Sequence, residues 1–374
     1  MGRKSQGSLV IGLLLLAVAG LFFSGYTWAA HSVQTRFGPP AAELGFFRSV
    51  RLGTSLLLQG DALLSAGPRS KAELFEINAG DSAAAIAGRL EQAGLIHDAD
   101  AFLVYLQYAG LDRALLPGMF SFDRTANGIE VARQLTSGDG RLVQFVILPG
   151  WRMEEVAQTL RAYHLSFTGD EFREEIARPQ QYIGLAGITS ATTSLEGRLY
   201  PGSYYIPQDI ALKDFISMLL SGISAAVTPE MVDAYQQNGL SLEEAIVLAS
   251  MVEKEAVLDE EAPLIASVFN NRLAAGMRLE SDPTVQYAIG YNATANTWWK
   301  NPLTARDLGF ISVYNTYAVN GLPPGAICEP GIVSLQAVAV PAITDYYFFR
   351  AACDGSGRHE FSRTYEEHLS KGCP

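Results

Sequence analysis

An α+β protein carried by one N-terminal membrane-crossing helix is the fold class this sequence predicts, and three observations predict it. Residues 8–30, SLVIGLLLLAVAGLFFSGYTWAA, contain no charge. Between 73 and 138, short runs that alternate polar and apolar residues are interleaved with runs of helical period. From Ser241 onward, two well-bounded helical stretches lead into a loop-rich region with short strand-like runs. At 374 residues and 48% hydrophobic, the chain can bury a real core and has room for two or three domains.

The uncharged run comes first. A bilayer core takes about 20 apolar residues as a helix, so 8–30 is long enough to span it. Arg3 and Lys4 precede the run and favour a cytoplasmic position for residues 1–7, while Tyr26 and Trp28 fall where an outer aromatic belt would lie. The bulk of the chain is then expected outside the membrane. A cleaved signal peptide is the competing reading, with WAA at 28–30 as its cleavage region, but the run exceeds the roughly 7–15 residues of a signal core and has no A-x-A at that end.

Residues 31–72 read as a linker of uncertain role, apolar in part without a clean period. ELFEINAG (73–80) alternates like a strand. Asp81 or Ser82 then caps a helix in which Ala84, Ile86, Ala87, Leu90 and Ala93 recur at helical spacing. A second helix in DADAFLVYLQYAG, a strand in GMFSFD and a helix closed by Gly138 complete a small α+β module. RLVQFVILPG (141–150) is a β segment leading into a helix from about Met153 to Tyr163. In the following TTSLEGRLYPGSYYIPQD, Gly197, Pro201, Gly202 and Pro207 fix an irregular backbone decorated by Glu196, Arg198, Tyr200, Tyr204 and Tyr205. Aromatics beside a carboxylate suit a carbohydrate surface; equally, the tyrosines can pack over a helix pair.

Ser241 and Glu244 form an S-x-x-E capping box that fixes the start of SLEEAIVLASMVEKEA. EAPLIASVFNNRLAAG is a second helix with Pro263 in its first turn and Gly276 past its end. Strands are expected at VQYAIG (285–290) and DYYFFRAA (345–352). Residues two apart on a helix point to nearly opposite sides, so Glu253 and Glu255 cannot both face water. Leu248, Val252 and Glu255 share a face, which puts Glu255 on the apolar stripe and leaves Glu253 for solvent or a neighbouring cation. A buried carboxyl keeps its proton near neutral pH, as the cleavage of an acetal requires. The blander alternatives are a structural acid with a partner or a surface acid at the helix end.

Other signatures are missing: no GxSxG, HExxH, GxxxxGK(S/T) or GxGxxG in strand–helix context occurs, which disfavours esterases, zincins and nucleotide enzymes. Net charge is −12, so there is no basic footprint for nucleic acid. Asp282 is a conceivable second carboxylate for a two-acid glycosidase. Cys328, Cys353 and Cys373 are an odd set that forbids complete pairing. One bridge would staple the C-terminal segment, and sequence does not choose the pair; Cys353–Cys373 is the one offered for test. His359 and His368 lie between those cysteines, but the spacing matches no usual zinc framework.

An ordered series of motifs then carries a resemblance: LEGRLYPGSYYI (195–206), LASMVEKEA (248–256), VFNNRLAAGMRLESDPTVQYAIG (268–290), YNTYAVNGLPPGAICEPGIVSLQAVAVPA (314–342) and GRHEFSRTYEEH (357–368). With these the chain resembles the endolytic murein transglycosylase family, the YceG-like or MltG-type enzymes, over roughly 73–370. The resemblance implies a LysM-like subdomain at 73–140 that touches glycan and a catalytic α+β domain with a groove at 141–374. It implies that Glu255, the second acid of E-K-E, is the catalytic group. In such an enzyme the 6-hydroxyl of N-acetylmuramic acid (MurNAc) attacks its own C1, so one carboxyl serves as acid and then base, with no cofactor or metal. Around it the same motifs suggest Glu196, Tyr200, Asp282, Thr284, Gln286, Asn315, Thr316 and Tyr317 as substrate-binding residues. The implied setting is a bacterial inner membrane, the implied substrate peptidoglycan glycan strands, and the implied partners cell-wall synthases. PGMFSF at 117–122 departs from the usual A-G-x-Y-x-(F/L), which puts glycan contact by that turn in question. A glycan-binding scaffold and a true hydrolase are the alternatives.

Overall fold

The uncharged run lies inside one long helix, α1 (Arg3–Phe37), in a computed structural model that describes residues 3–68 and 74–373. Among the described residues α1 is the one helix that, by itself, is long and apolar enough to cross a bilayer. Met1, Gly2 and residue 73, where the expected strand and LysM-like module begin, lie outside the described residues. The chain divides into two units, one ending at Val143 and the other starting at Gln144.

In the first unit, much of the described stretch 31–68 is helical where the sequence reads as linker; residues 69–72 lie outside the described residues. α1 continues to Phe37, and α2 (Phe46–Gln59) follows, burying Leu52, Gly53 and Leu56. The period is hidden because α2 also exposes large apolar residues, Phe46, Phe47 and Leu58. The two helices run in the same direction. The Tyr26 ring meets the Phe46 ring with centroids 5.4 Å apart, Gly53 lies against Val33, and Gly60, just past α2, lies against the Phe37 ring. The partners climb together along both helices, so residues 38–45 must bring the chain back to the level of Tyr26. Tyr108 pins that return: its hydroxyl donates to the Gly38 carbonyl (3.2 Å), and its own carbonyl accepts from the Ala41 N–H (2.9 Å).

The remainder of this unit is β1 (Leu74–Ile77), α3 (Ala83–Gln92), α4 (Ala99–Ala109), β2 (Gly118–Ser121), α5 (Gly128–Ser137) and the first three residues of β3 (Arg141–Ile147), the strand in which the division falls. Each helix start has a local cause: Ser82 accepts from Ala85 N–H, Asp98 from Ala101 N–H, and Asn127 forms a capping box with Glu130. Gly110 and Gly138 close α4 and α5 at positive φ. β1 and β2 pair antiparallel with Phe75 opposite Phe120, and Leu142 of β3 pairs with Met119. Leu56, Ile86, Leu90, Phe102, Leu106, Phe120 and Leu135 fill the core, each such side chain contributing about 1.5–3 kcal/mol on burial.

The second unit comprises α6 (Met153–Thr159), α7 (Gly169–Ile176), β4 (Gly202–Pro207), α8 (Leu212–Ala226), α9 (Pro229–Gln237), α10 (Leu242–Glu255), α11 (Ala262–Ala274), α12 (Asp282–Ile289), α13 (Ala305–Leu308), α14 (Ile332–Ala339), β5 (Phe348–Ala351), β6 (His359–Ser362) and α15 (Tyr365–Ser370). α10 is its axis. Ala245 through Val252 are buried without interruption, packed by α9, α11 and α14. The expected strand at VQYAIG is instead α12. Pro283 in its first turn and burial of Val285 set a helix there, overriding the β-branched and aromatic composition. β5 and β6 form an antiparallel hairpin with Ala351 opposite His359, and Cys353 and Cys373 form a disulfide that ties this hairpin to the segment after α15.

Candidate active site

Glu255 is the last residue of α10, whose start is fixed by the Ser241–Glu244 capping box. It lines a cleft of about 400 Å³ together with Arg272, Asp282, Tyr317, Arg350 and His359. The residue as a whole is partly exposed, but its carboxyl is the desolvated part: burial pushes its pKa up from 4.5 to about 7. The Asp282 charge pushes the same way. A hydrogen bond from Ser281 and the charge of Arg272 oppose them.

The hydrogen bond is short and direct, Ser281 Oγ donating to Glu255 Oε1 at 2.6 Å. Ser281 is itself fully held. Its N–H donates to Thr316 Oγ1 (3.0 Å), and Thr284 Oγ1 donates to its carbonyl (2.6 Å). Glu280, just before it, sits at φ 51 and is kept there by its N–H to the Thr316 carbonyl (3.2 Å) and its carboxylate on Arg272 Nη1 (3.2 Å). Arg272, buried, also donates to the carbonyls of Leu279 (2.9 Å) and Tyr347 (2.6 Å). This one guanidinium therefore joins α11, the turn before α12 and the approach to β5. Across the cleft Tyr317 donates its hydroxyl to Asp282 Oδ1 at 2.7 Å, leaving the other carboxylate oxygen for a ligand. On the far wall His359 is fixed by Glu261, with Nδ1 2.8 Å from Oε2 and its N–H on the same carboxylate.

A partly desolvated carboxyl near neutrality, a neighbouring carboxylate and a cation behind them are groups from which a proton-transfer site can be built. The YceG-like family model matches residues 75–372. The chain belongs to the YceG-like family.

Its YceG-like relatives include a Bacillus subtilis (strain 168) protein named endolytic murein transglycosylase, 28% identical over 340 residues, covering 83% of this chain and 87% of the relative. A protein of the same name from Streptococcus pneumoniae serotype 2 (strain D39) is 25% identical over 332 residues, covering 82% of this chain but only 59% of that longer relative. The crystal structure of a YceG-like protein from Listeria monocytogenes superposes with a TM-score of 0.56 at 28% identity, covering 81% of this chain and 99% of the other.

Within this YceG-like site the sequence-derived residues separate. Glu255, Asp282 and Tyr317 line the cleft. Thr284, Asn315 and Thr316 do not: all three are fully buried, and their polar atoms are spent inside the protein. Thr284 and Thr316 share a hydrogen bond (2.9 Å) behind Ser281, and Asn315 Nδ2 donates to the carbonyls of Leu308 and Phe310. They are supports, not sugar contacts. Gln286 likewise ties α12 to the Lys300 carbonyl (2.9 Å). Tyr200 is packed against Gly222 of α8, and its carbonyl accepts from the Tyr204 hydroxyl, so Tyr200 and Tyr204 cover a helix while Tyr205 is exposed.

Glu196 is buried outside the cleft lining, accepting from Met153 N–H (2.9 Å) and the Tyr287 hydroxyl (3.2 Å). Burial first, then the charge of Glu154, hold its carboxyl above the ordinary range. Nearby Glu329, pushed up by burial and then by Glu196, accepts from Leu199 N–H (2.8 Å) and so braces the LEGRL turn. Glu253, half-buried, has partners that the sequence did not suggest: it accepts from Gly331 N–H (3.0 Å) and Ser334 Oγ (2.7 Å) at the start of α14. Cys328 is buried, and burial pushes its thiol up.

Sequence reasoning missed Ser281, Arg272, Arg350 and His359. The first was in plain view as the residue before Asp282. The other three come from segments brought to the cleft by packing of α11 and the hairpin, which no local period announces.

Proposed function

We propose that this chain is an endolytic peptidoglycan lytic transglycosylase that cuts the bond between MurNAc and N-acetylglucosamine (GlcNAc) within glycan strands, with Glu255 as its acid and base. The observation that carries the reading is the Glu255 carboxyl, held by Ser281 in an open polar cleft with a pKa near 7. The names of the Bacillus and Streptococcus relatives support the substrate class.

The protonated carboxyl donates to the glycosidic oxygen as the C1–O bond breaks, and the leaving GlcNAc keeps the bonding pair and the proton. The resulting carboxylate then takes the proton of the MurNAc 6-hydroxyl while O6 bonds to C1, closing a 1,6-anhydro ring. Glu255 ends as it began, protonated. Ser281 holds the ionised form between the two steps, and Arg272 supplies a nearby positive charge. Asp282 and Tyr317, bonded to each other on the rim, are placed to receive sugar hydroxyl or acetamido groups.

In this reading α1 is a single inner-membrane anchor with residues 1–7 in the cytoplasm and the remainder outside. Residues 73–140 act as a LysM-like glycan-contact module, residues 141–374 as the catalytic domain with the cleft as its groove, and cell-wall synthases supply the nascent strands. Asp282, exposed beside Glu255, favours a second reading in which it activates water and the enzyme is a hydrolase.

Mass spectrometry of glycan digested by the wild type and by Glu255→Gln tests both. Anhydro-MurNAc ends that fall by a factor of about 10² or more in the variant are expected. Reducing ends instead would establish the hydrolase, and no cleavage by the wild type would leave a glycan-binding scaffold.

A further inference from the structure

The first turn of α2 presents a surface that neither the cleft nor the fold uses. Phe47 is 87% exposed and Phe46 60% exposed, adjacent large aromatic residues whose rings also meet each other, with centroids 5.5 Å apart. Exposed aromatic pairs of this kind are costly in water unless something covers them. Arg51 follows Phe47 by one helical turn on the same face, and Arg48 is also exposed.

The level of this turn along α1 decides what covers it. Tyr26, whose ring packs on Phe46, and Trp28, 69% exposed, end the uncharged run. Because α1 and α2 run in parallel, Phe46 and Phe47 stand at the height of that aromatic pair. The rest of α2 climbs away from it: Leu58, twelve residues beyond Phe46, is about 18 Å farther along. Residues 38–45 therefore bring the chain back down from Phe37 before α2 starts. Aromatic residues at the level of the headgroups, with Arg48 beside them and Arg51 one turn farther out, match the chemistry of an interfacial contact.

We propose that the first turn of α2 is a second membrane contact, in which Phe46 and Phe47 seat in the outer interfacial layer beside Tyr26 and Trp28 while Arg48 and Arg51 meet lipid phosphates. The proposal rests on reading α1 as a bilayer span. Its occupant is the lipid surface of the membrane that α1 crosses, because the patch continues the aromatic end of that span.

The test uses the full chain reconstituted in vesicles of phosphatidylethanolamine and phosphatidylglycerol, with a spin label on Leu21→Cys, Phe47→Cys or Leu58→Cys. Native thiols do not compete, since Cys328 is buried and Cys353 is bonded to Cys373. Relaxation by oxygen, which partitions into lipid, is compared with relaxation by a water-soluble nickel chelate. Positions 21 and 47 are expected to favour oxygen and position 58, equally apolar and 84% exposed, to favour nickel. Position 47 favouring nickel while 21 favours oxygen would overturn the proposal and leave the anchor standing. All three favouring nickel would overturn the anchor itself. Shielding of position 47 in native membranes but not in lipid vesicles would overturn the proposal in favour of a protein partner. Because Phe47 makes little use of the core, the labelled chain is expected to retain glycan cleavage, which checks its fold.

Discussion

Glu255 is a carboxyl whose folded pKa, about 7, stands above its ordinary 4.5. The folded state therefore binds the extra proton between those values, and stability falls as pH rises through that window. Glu255→Gln removes the dependence while keeping an acceptor for Ser281. The variant is expected to be more stable than the wild type at pH 8, by on the order of 2 kcal/mol after allowance for partial exposure, and level with it near pH 4.5; urea midpoints at the two pH values measure this. Activity that needs the protonated acid should likewise decline above pH 7. Ser281→Ala withdraws the one hydrogen bond that favours the charged form, so the alkaline limb of the kcat profile should move up by about one pH unit, with kcat reduced. An unmoved limb would show that Ser281 does not tune this acid. At this scale the sequence was readable where a residue's environment is its own helix: the stripe of Leu248, Val252 and Glu255 needed only a period. It was unreadable for Glu253, whose partners Gly331 and Ser334 lie far along the chain, and for Thr284 and Thr316, whose hydroxyls look the same on paper whether they face sugar or each other.

Elements were legible where caps and periods agree. Ser241–Glu244 and Gly138 fix helix ends through bonds to near neighbours, and those ends fall at the motif. α12 was misjudged because Val285, Tyr287 and Ile289 suit a strand, while their helical state is imposed by the proline start and by packing on α10. The LEGRL turn shows an element built almost wholly from remote support. Gly197 stands at φ +81 with the Ala326 Cβ only 2.5 Å from where its own Cβ would be, and Ile246 Cγ2 at 2.8 Å. Gly197→Ala combines backbone strain with overpacking against α10 and is expected to lower unfolding stability by about 2–3 kcal/mol, read as a lower urea midpoint at unchanged slope.

For the whole molecule, the division at Val143 and the packing of the cleft walls could not be read from periods, because they depend on which faces meet. The staple between Cys353 and Cys373 is the clearest case: sequence offered three pairings, and geometry has one. The hairpin it secures contributes Phe349, Arg350, Ala351 and His359 to the cleft. Reducing a bridge between residues 20 apart should cost about 3 kcal/mol locally and raise KM more than it lowers kcat, seen by comparing kinetics with and without dithiothreitol. Equal kinetics in both would mean that the hairpin holds its wall unaided. The parallel pairing of α1 and α2 bears on reach. An anchor followed by a loose linker would let its cargo roam as a leash does, but α1 runs unbroken from Trp28 to Phe37, about 14 Å, and α2 braces it along that length. The first unit is thus mounted on a short stiff post, and with α1 as the proposed anchor its stand-off from the bilayer would act as a selection rule, favouring glycan that has only just left the membrane over glycan that has moved outward.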